Sequence, residues 1–244
     1  MANWSDPRSV GAAPAGDVGA RSAAVDAGLR SYMLSVYNYM GSGVLLTGIV
    51  ALLFASSGAA QSIMMSPGIL KWVIMLSPLA FILVMNFGIN RMSTFTLQAC
   101  FWGFATVMGL SMSTIFLVYT GASIAQTFFA TSAAFAGLSL WGYTTKKDLS
   151  GFGTFLIMGV VGLLVASIIN IFMQSGTMNL VISFVGVLLF AGLTAYDTQR
   201  IKSMYSYVAG TDMVGKTVIM GALSLYLDFI NMFQFLLSFL GNRD

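Results

Sequence analysis

Histidine and glutamate are absent from the chain, cysteine occurs once, and charge of either sign is scarce. Eleven Lys and Arg and eight Asp make up 8% of the 244 residues. Each absence removes a class of chemistry. Without His, and with Cys100 as the one thiol, the usual His/Cys zinc sets are unavailable, as are Ser-His-Asp and Cys-His nucleophiles. A single Cys forms no intramolecular disulfide and leaves the redox compartment open. A soluble domain carries about 25% charged residues, so this chain lacks the polar surface to cover a globule in water. What it has is 57% hydrophobic residues and a mean hydropathy of +0.86. The composition is that of an integral membrane protein. The net charge of +3 is small; on such a chain it reports topology and points to no nucleic-acid partner.

The gaps between charges organise the chain. No Asp, Lys or Arg occurs from Ser31 to Leu70, from Met92 to Thr145, or from Leu149 to Tyr196. Crossing the hydrocarbon core takes about 20 apolar residues. The second and third gaps therefore each hold two spans and a turn. The turns are visible as Thr120-Gly121-Ala122-Ser123 and Gln174-Ser175-Gly176-Thr177. The first gap holds one span, followed by a small-residue loop at 56–68 that contains Pro67. The expected spans are 34–55, 72–89, 97–118, 124–143, 153–173, 178–197 and 217–240. The last carries one acid, Asp228, so six spans with a re-entrant last segment is the alternative.

Residues 1–30 are rich in Ala, Gly and Ser, and have Pro7, Pro14 and no apolar run of signal-peptide length. They read as a disordered cytoplasmic tail before a transmembrane domain at 31–244. With seven spans, Arg8, Arg21, Arg30, Arg91, Lys146, Lys147, Arg200, Lys202 and Lys216 fall on one side, and only Lys71 and Arg243 on the other. Positive charge stays inside, which puts the N-terminus in the cytoplasm and the C-terminus outside.

Two acids stand out. Asp197 ends the sixth expected span and Asp228 lies within the seventh. An Asp at a helix centre costs about 2.5–3.5 kcal/mol on insertion scales, and such residues mark ion pathways or proton relays. Ser224, Asp228, Asn231, Gln234 or Phe235, and Ser238 recur at helical spacing and form one polar stripe. Small-residue faces on the fourth span (Ser132, Ala136, Ser139, Tyr143) and the fifth (Gly159, Gly162, Ala166, Asn170) read as packing surfaces. The seventeen Met residues read as gap fillers.

For the acids two readings stand. One is a structural ion pair, with Arg91 and Arg200 as candidate partners and Lys202 or Lys216 within reach at the interface. The other has the two carboxylates facing each other. Carboxylates a few ångströms apart do not both ionise freely, so such a pair would share a proton near neutral pH and release it as pH rises. Deprotonated, it offers hard oxygens to a cation. Calcium takes six to eight oxygen ligands, so two acids with amide and backbone oxygens make a weak site, as permeation requires.

The segments Gly192 to Tyr205 (GLTAYDTQRIKSMY), Gly221 to Phe233 (GALSLYLDFINMF) and Gly142 to Gly153 (GYTTKKDLSGFG) resemble the Bax inhibitor-1 family, also called the transmembrane Bax inhibitor motif family. With the seven-span layout the resemblance runs from about Arg30 to Arg243 and looks most like a bacterial member. It implies an all-α polytopic membrane protein whose last helix is central, surrounded by the other six. It also implies a pH-sensitive calcium leak in which Asp197 and Asp228 correspond to the diaspartyl sensor. A bacterial inner membrane follows, as does a membrane-bound AAA protease as partner of some relatives. One departure is visible: the second span lacks the acid found in some calcium-leak members. Asn86 and Asn90 are its amides, and Arg91 stands at its end.

The leading expectation is a calcium leak with no cofactor, whose partners are the bilayer and the calcium ion. The alternative is a non-conducting regulator of a membrane-bound AAA protease or another membrane partner. An enzyme is not expected. Tyr196-Asp197 matches half of an intramembrane aspartyl protease signature, but Leu225-Tyr226-Leu227 before Asp228 lacks the required Gly. No Lys in 217–240 is available for a retinal Schiff base.

Overall fold

The computed structural model describes residues 15–64 and 68–242, with side chains from residue 25 onward. Among the described residues the chain forms nine helices: α1 (Ala15–Ser56), α2 (Ala59–Met64), α3 (Ile69–Gly88), α4 (Thr94–Met112), α5 (Ile115–Val118), α6 (Gly121–Thr144), α7 (Ser150–Met173), α8 (Gly176–Val208) and α9 (Met213–Leu240). Seven are long and apolar enough to span a membrane, with α4 and α5 together supplying the third.

The expected turns are helix boundaries with identifiable caps. Thr120 accepts from the Ser123 amide at 3.2 Å, and Ser175 accepts from the Met178 amide at 3.3 Å. Gln174 ends α7 in the left-handed conformation at φ 50°. These contacts satisfy backbone groups that no helical partner reaches.

Two helices run longer than the gaps suggest. α1 begins at Ala15, so residues 15–30 of the expected disordered tail are helical; residues 1–14 lie outside the described residues. Alanines at 15, 20, 23, 24 and 27 favour helix, and Leu29 anchors the stretch against the core. α8 continues past Asp197 to Val208, because its Ile201 is buried against Gly221 of α9. The loop at 56–68 contains α2.

α9 is the centre of the bundle. It packs against α1, α4, α6 and α8, while α3 leans on α4 and α7 leans on α8. The other spans do not surround it evenly: α3 and α7 pack mainly on α4 and α8 and form an outer layer. α9 also crosses the whole bundle. Near its start the Lys216 ammonium donates to the Ile89 carbonyl at the end of α3, at 3.0 Å. Just beyond its other end the Asn242 amide donates to the Ser123 hydroxyl in the first turn of α6, at 2.8 Å. The last segment is thus one continuous helix along the length of the bundle, with no re-entrant turn in it.

Without a hydrophobic drive between helices, close approach through small residues carries the packing. At Gly142 of α6 an added Cβ would run into the Ala195 backbone of α8. The expected small-residue faces are met in part: Ser139 and Tyr143 on α6 and Gly159 and Ala166 on α7 do pack inward. On α6 the buried stripe is Ser123, Thr127, Thr131, Phe135, Ser139 and Gly142, with Ala136 exposed and Ser132 bonded to its own helix at the Phe128 carbonyl. On α7 it is Gly153, Leu156 and Leu163, and Gly162 faces open space.

Candidate functional site

Asp228 sits in the middle of α9 and is 4% exposed. Its neighbours Leu225, Tyr226, Phe229 and Ile230 are buried, so the helix is held on several sides and the carboxyl has little room to turn away. Its Oδ2 has no hydrogen-bond partner. A buried carboxyl oxygen left unpaired carries a desolvation cost.

Asp197 reaches the same seam from α8 and is half-buried. Arg200 stands one helical turn further along α8. Asp197 and Arg200 line a cavity of about 250 Å³ with Asn86, Thr217 and Ser224 among its other walls. The cavity lies between α3, α8 and α9, and its rim carries the exposed Asn86 and Arg200. Asp197 shares this cavity with Ser224, one helical turn before Asp228 on α9. Of the two acids that the sequence singled out, one faces a cavity and the other lies deeper in the core.

The remaining expected residues divide. Ser224 lines the cavity. Asn231 is half-buried and donates to the Leu227 carbonyl of its own helix at 2.7 Å. Gln234 is exposed and lines a different cavity, toward the other end of α9. Arg91 is exposed in the turn after α3, and among the described residues no ion pair joins Arg91 or Arg200 to either acid. Lys202 and Lys216 are committed elsewhere, to the carbonyls of Tyr143 and Ile89. Of the expected partners, Arg200 is the one that stays beside Asp197, one helical turn away on the same helix.

Sequence reasoning missed the hydroxyl network that braces the seam. The Tyr37 and Ser139 hydroxyls meet at 2.6 Å, and Ser139 meets Thr198 at 2.9 Å, tying α1, α6 and α8 together beside Asp197. Thr47 contacts the Tyr226 hydroxyl at 2.6 Å and donates to the Ala105 carbonyl at 2.8 Å. The signal was present, since Thr127, Thr131 and Ser139 repeat at four-residue spacing, but such hydroxyls look the same whether they pack or bond across helices. Among the described residues there is no group of three or more His, Cys or Asp side chains that could hold a metal ion. A cation here would rest on two carboxylates and neutral oxygens alone.

The sequence matches the family described as "Inhibitor of apoptosis-promoting Bax1" over residues 29–244. The chain belongs to the Bax inhibitor-1 family. Relatives support the assignment along nearly the whole length. An uncharacterised protein of Rickettsia prowazekii is 48% identical over 219 residues, covering 89% of this chain and 92% of the relative. An uncharacterised protein of Caulobacter vibrioides is 46% identical, covering 90% and 92%. The Escherichia coli inner membrane protein YbhL is 42% identical, covering 89% and 94%. In this Bax inhibitor-1 family member both acids fall on the two helices that make the core seam.

Proposed function

We propose that the protein is a pH-sensitive cation leak of a bacterial inner membrane, with calcium as the permeant ion and Asp197 and Asp228 as proton sensor and ion contact. The observation that carries this reading is the buried Asp228 carboxyl, its Oδ2 unpaired, one helical turn from Ser224, which lines a cavity together with Asp197. Two interacting carboxylates exchange a shared proton as a unit, so protonation switches the seam between a neutral and an anionic lining. The anionic form attracts a hydrated cation from the cavity. Its few protein oxygens let the ion leave again.

The inner-membrane location follows the name of the Escherichia coli relative. The cytoplasmic N-terminus follows the basic residues at the loops and helix ends on the Asp197 side, including Arg91, Lys146 and Lys147. In that orientation the cavity beside Asp197 faces the cytoplasm.

Calcium flux into proteoliposomes between about pH 6 and 8 tests the reading. Wild type is expected to conduct with a rate that depends on pH, and Asp228→Asn to lose that dependence while remaining folded. Absence of flux at every pH from monodisperse protein overturns the leak and leaves the non-conducting regulator of a membrane partner, such as an AAA protease.

A further inference from the structure

A second polar cavity occupies the opposite end of the same seam. It measures about 280 Å³ and is lined by Ser167 and Asn170 of α7, Asn179 and Ser183 of α8, and Gln234 and Ser238 of α9. The Asn179 amide and the Ser183 hydroxyl both donate to Ser238, at 3.2 and 3.1 Å. Uncharged polar side chains in membrane helices either bond across helices or face water. Here Asn179, Ser183 and Ser238 do the first, and the space they help to rim is large enough for several water molecules.

The order of layers along the seam follows from contacts between the antiparallel α8 and α9. Ile201 lies against Gly221, Gly186 against Phe235, and Ser183 is bonded to Ser238. Asp197 and Asp228 fall in the first half of this series and the polar cavity at its far end. Between them the Phe190 and Phe235 rings stack, with centroids 5.9 Å apart and planes 23° apart. Gly186 makes this possible: a Cβ there would come within 2.6 Å of the Phe235 ring. Along α9, Ser224 thus lines one cavity and Gln234 and Ser238 the other, with the aromatic layer between them.

We propose that the cavity between α7, α8 and α9 is a vestibule for a hydrated cation, connected to the cavity beside Asp197 through a hydrophobic gate formed by Phe190 and Phe235. This rests on the leak reading for its direction of flow, but not for the wetness of the vestibule. The neutral amide and hydroxyl oxygens there suit an ion that keeps most of its water, while the stacked rings exclude water until they separate. Because α3 carries no acid, this end of α7, α8 and α9 supplies the polar groups in the second half of the crossing.

Two measurements test it. Gln234→Cys and, as a lipid-facing control, Val181→Cys (57% exposed) are placed in a Cys100→Ala background and treated with a membrane-impermeant cationic thiosulfonate. A thiol in lipid stays un-ionised and unreactive. Modification of Gln234→Cys but not of Val181→Cys supports the vestibule; equal silence of both overturns it, whatever the flux. For the gate, Phe235→Ala and the milder Phe190→Leu are expected to raise calcium flux several-fold over wild type at the same pH. Flux unchanged by both folded variants overturns the gate, whether the wild type conducts or not.

Discussion

α7 and α9 are both long enough to cross a bilayer, and their burial runs opposite to their composition. α7 is the more apolar of the two, yet only 11% of its most apolar stretch is buried, with Phe155, Met158, Val161, Leu164, Ile168 and Phe172 facing outward. α9 carries an acid and a polar stripe, yet 50% of its corresponding stretch is buried. In water the assignment would be reversed. In lipid the solvent is as apolar as Leu, so nothing favours burying α7's surface. A helix bearing Asp228 is instead stabilised by facing protein on every side.

Moving a carboxylate from one helix to the other tests that contrast most severely. Val165→Asp on the lipid face of α7 is expected to cost about 2.5–3.5 kcal/mol of insertion free energy, read as a collapse of membrane-integrated yield. Asp228→Leu is expected to leave thermal stability in detergent unchanged or raised, because it removes a buried unpaired oxygen. A marked drop in its Tm would mean that Asp228 is structural.

A smaller effect sharpens the same comparison. Thr47→Val strips the buried Tyr226 hydroxyl and the Ala105 carbonyl of their partner and is expected to destabilise by about 1–3 kcal/mol. Ser167→Ala on α7, which removes only a bond to its own helix at the Leu163 carbonyl, is expected to stay within about 0.5 kcal/mol. Equal losses in thermal unfolding would erase the distinction between core and outer helix.

The smallest effect lies at the entrance to α7. The Asp148 carboxyl accepts from the Ser150 hydroxyl and amide and is held below its ordinary range. A depressed carboxyl contributes its stability above the unfolded value and loses it as pH falls through the folded one. Asp148→Asn is therefore expected to leave neutral-pH stability almost unchanged and to flatten slightly its decline in acid, as seen by thermal melts along a pH series.

Much of this fold was legible in the spacing of a few charges. Gaps longer than one span located four helices, and Gly-Ser-Thr turns divided them. What the charges hid were the helical extensions: Asp26 and Arg30 on α1, and Arg200 and Lys202 on α8, look like loop residues but lie on helices that run past the apolar stretch. Asp197 and Asp228 were legible as candidates because an Asp in an apolar helix has few explanations. The Phe190–Phe235 layer was not, since nineteen Phe residues leave no way to tell a plug from a packing ring. Gly186, the residue that seats it, is one glycine among twenty-six.

The account's central claim is that Asp197 and Asp228 act as one unit. Calcium flux across the pH range for Asp197→Asn, Asp228→Asn and the double variant tests it most directly, since residues acting together give non-additive effects. The account predicts that each single variant loses the pH response and that the double variant is no more impaired than either. Losses that add, or a pH response surviving in one single variant, would contradict it.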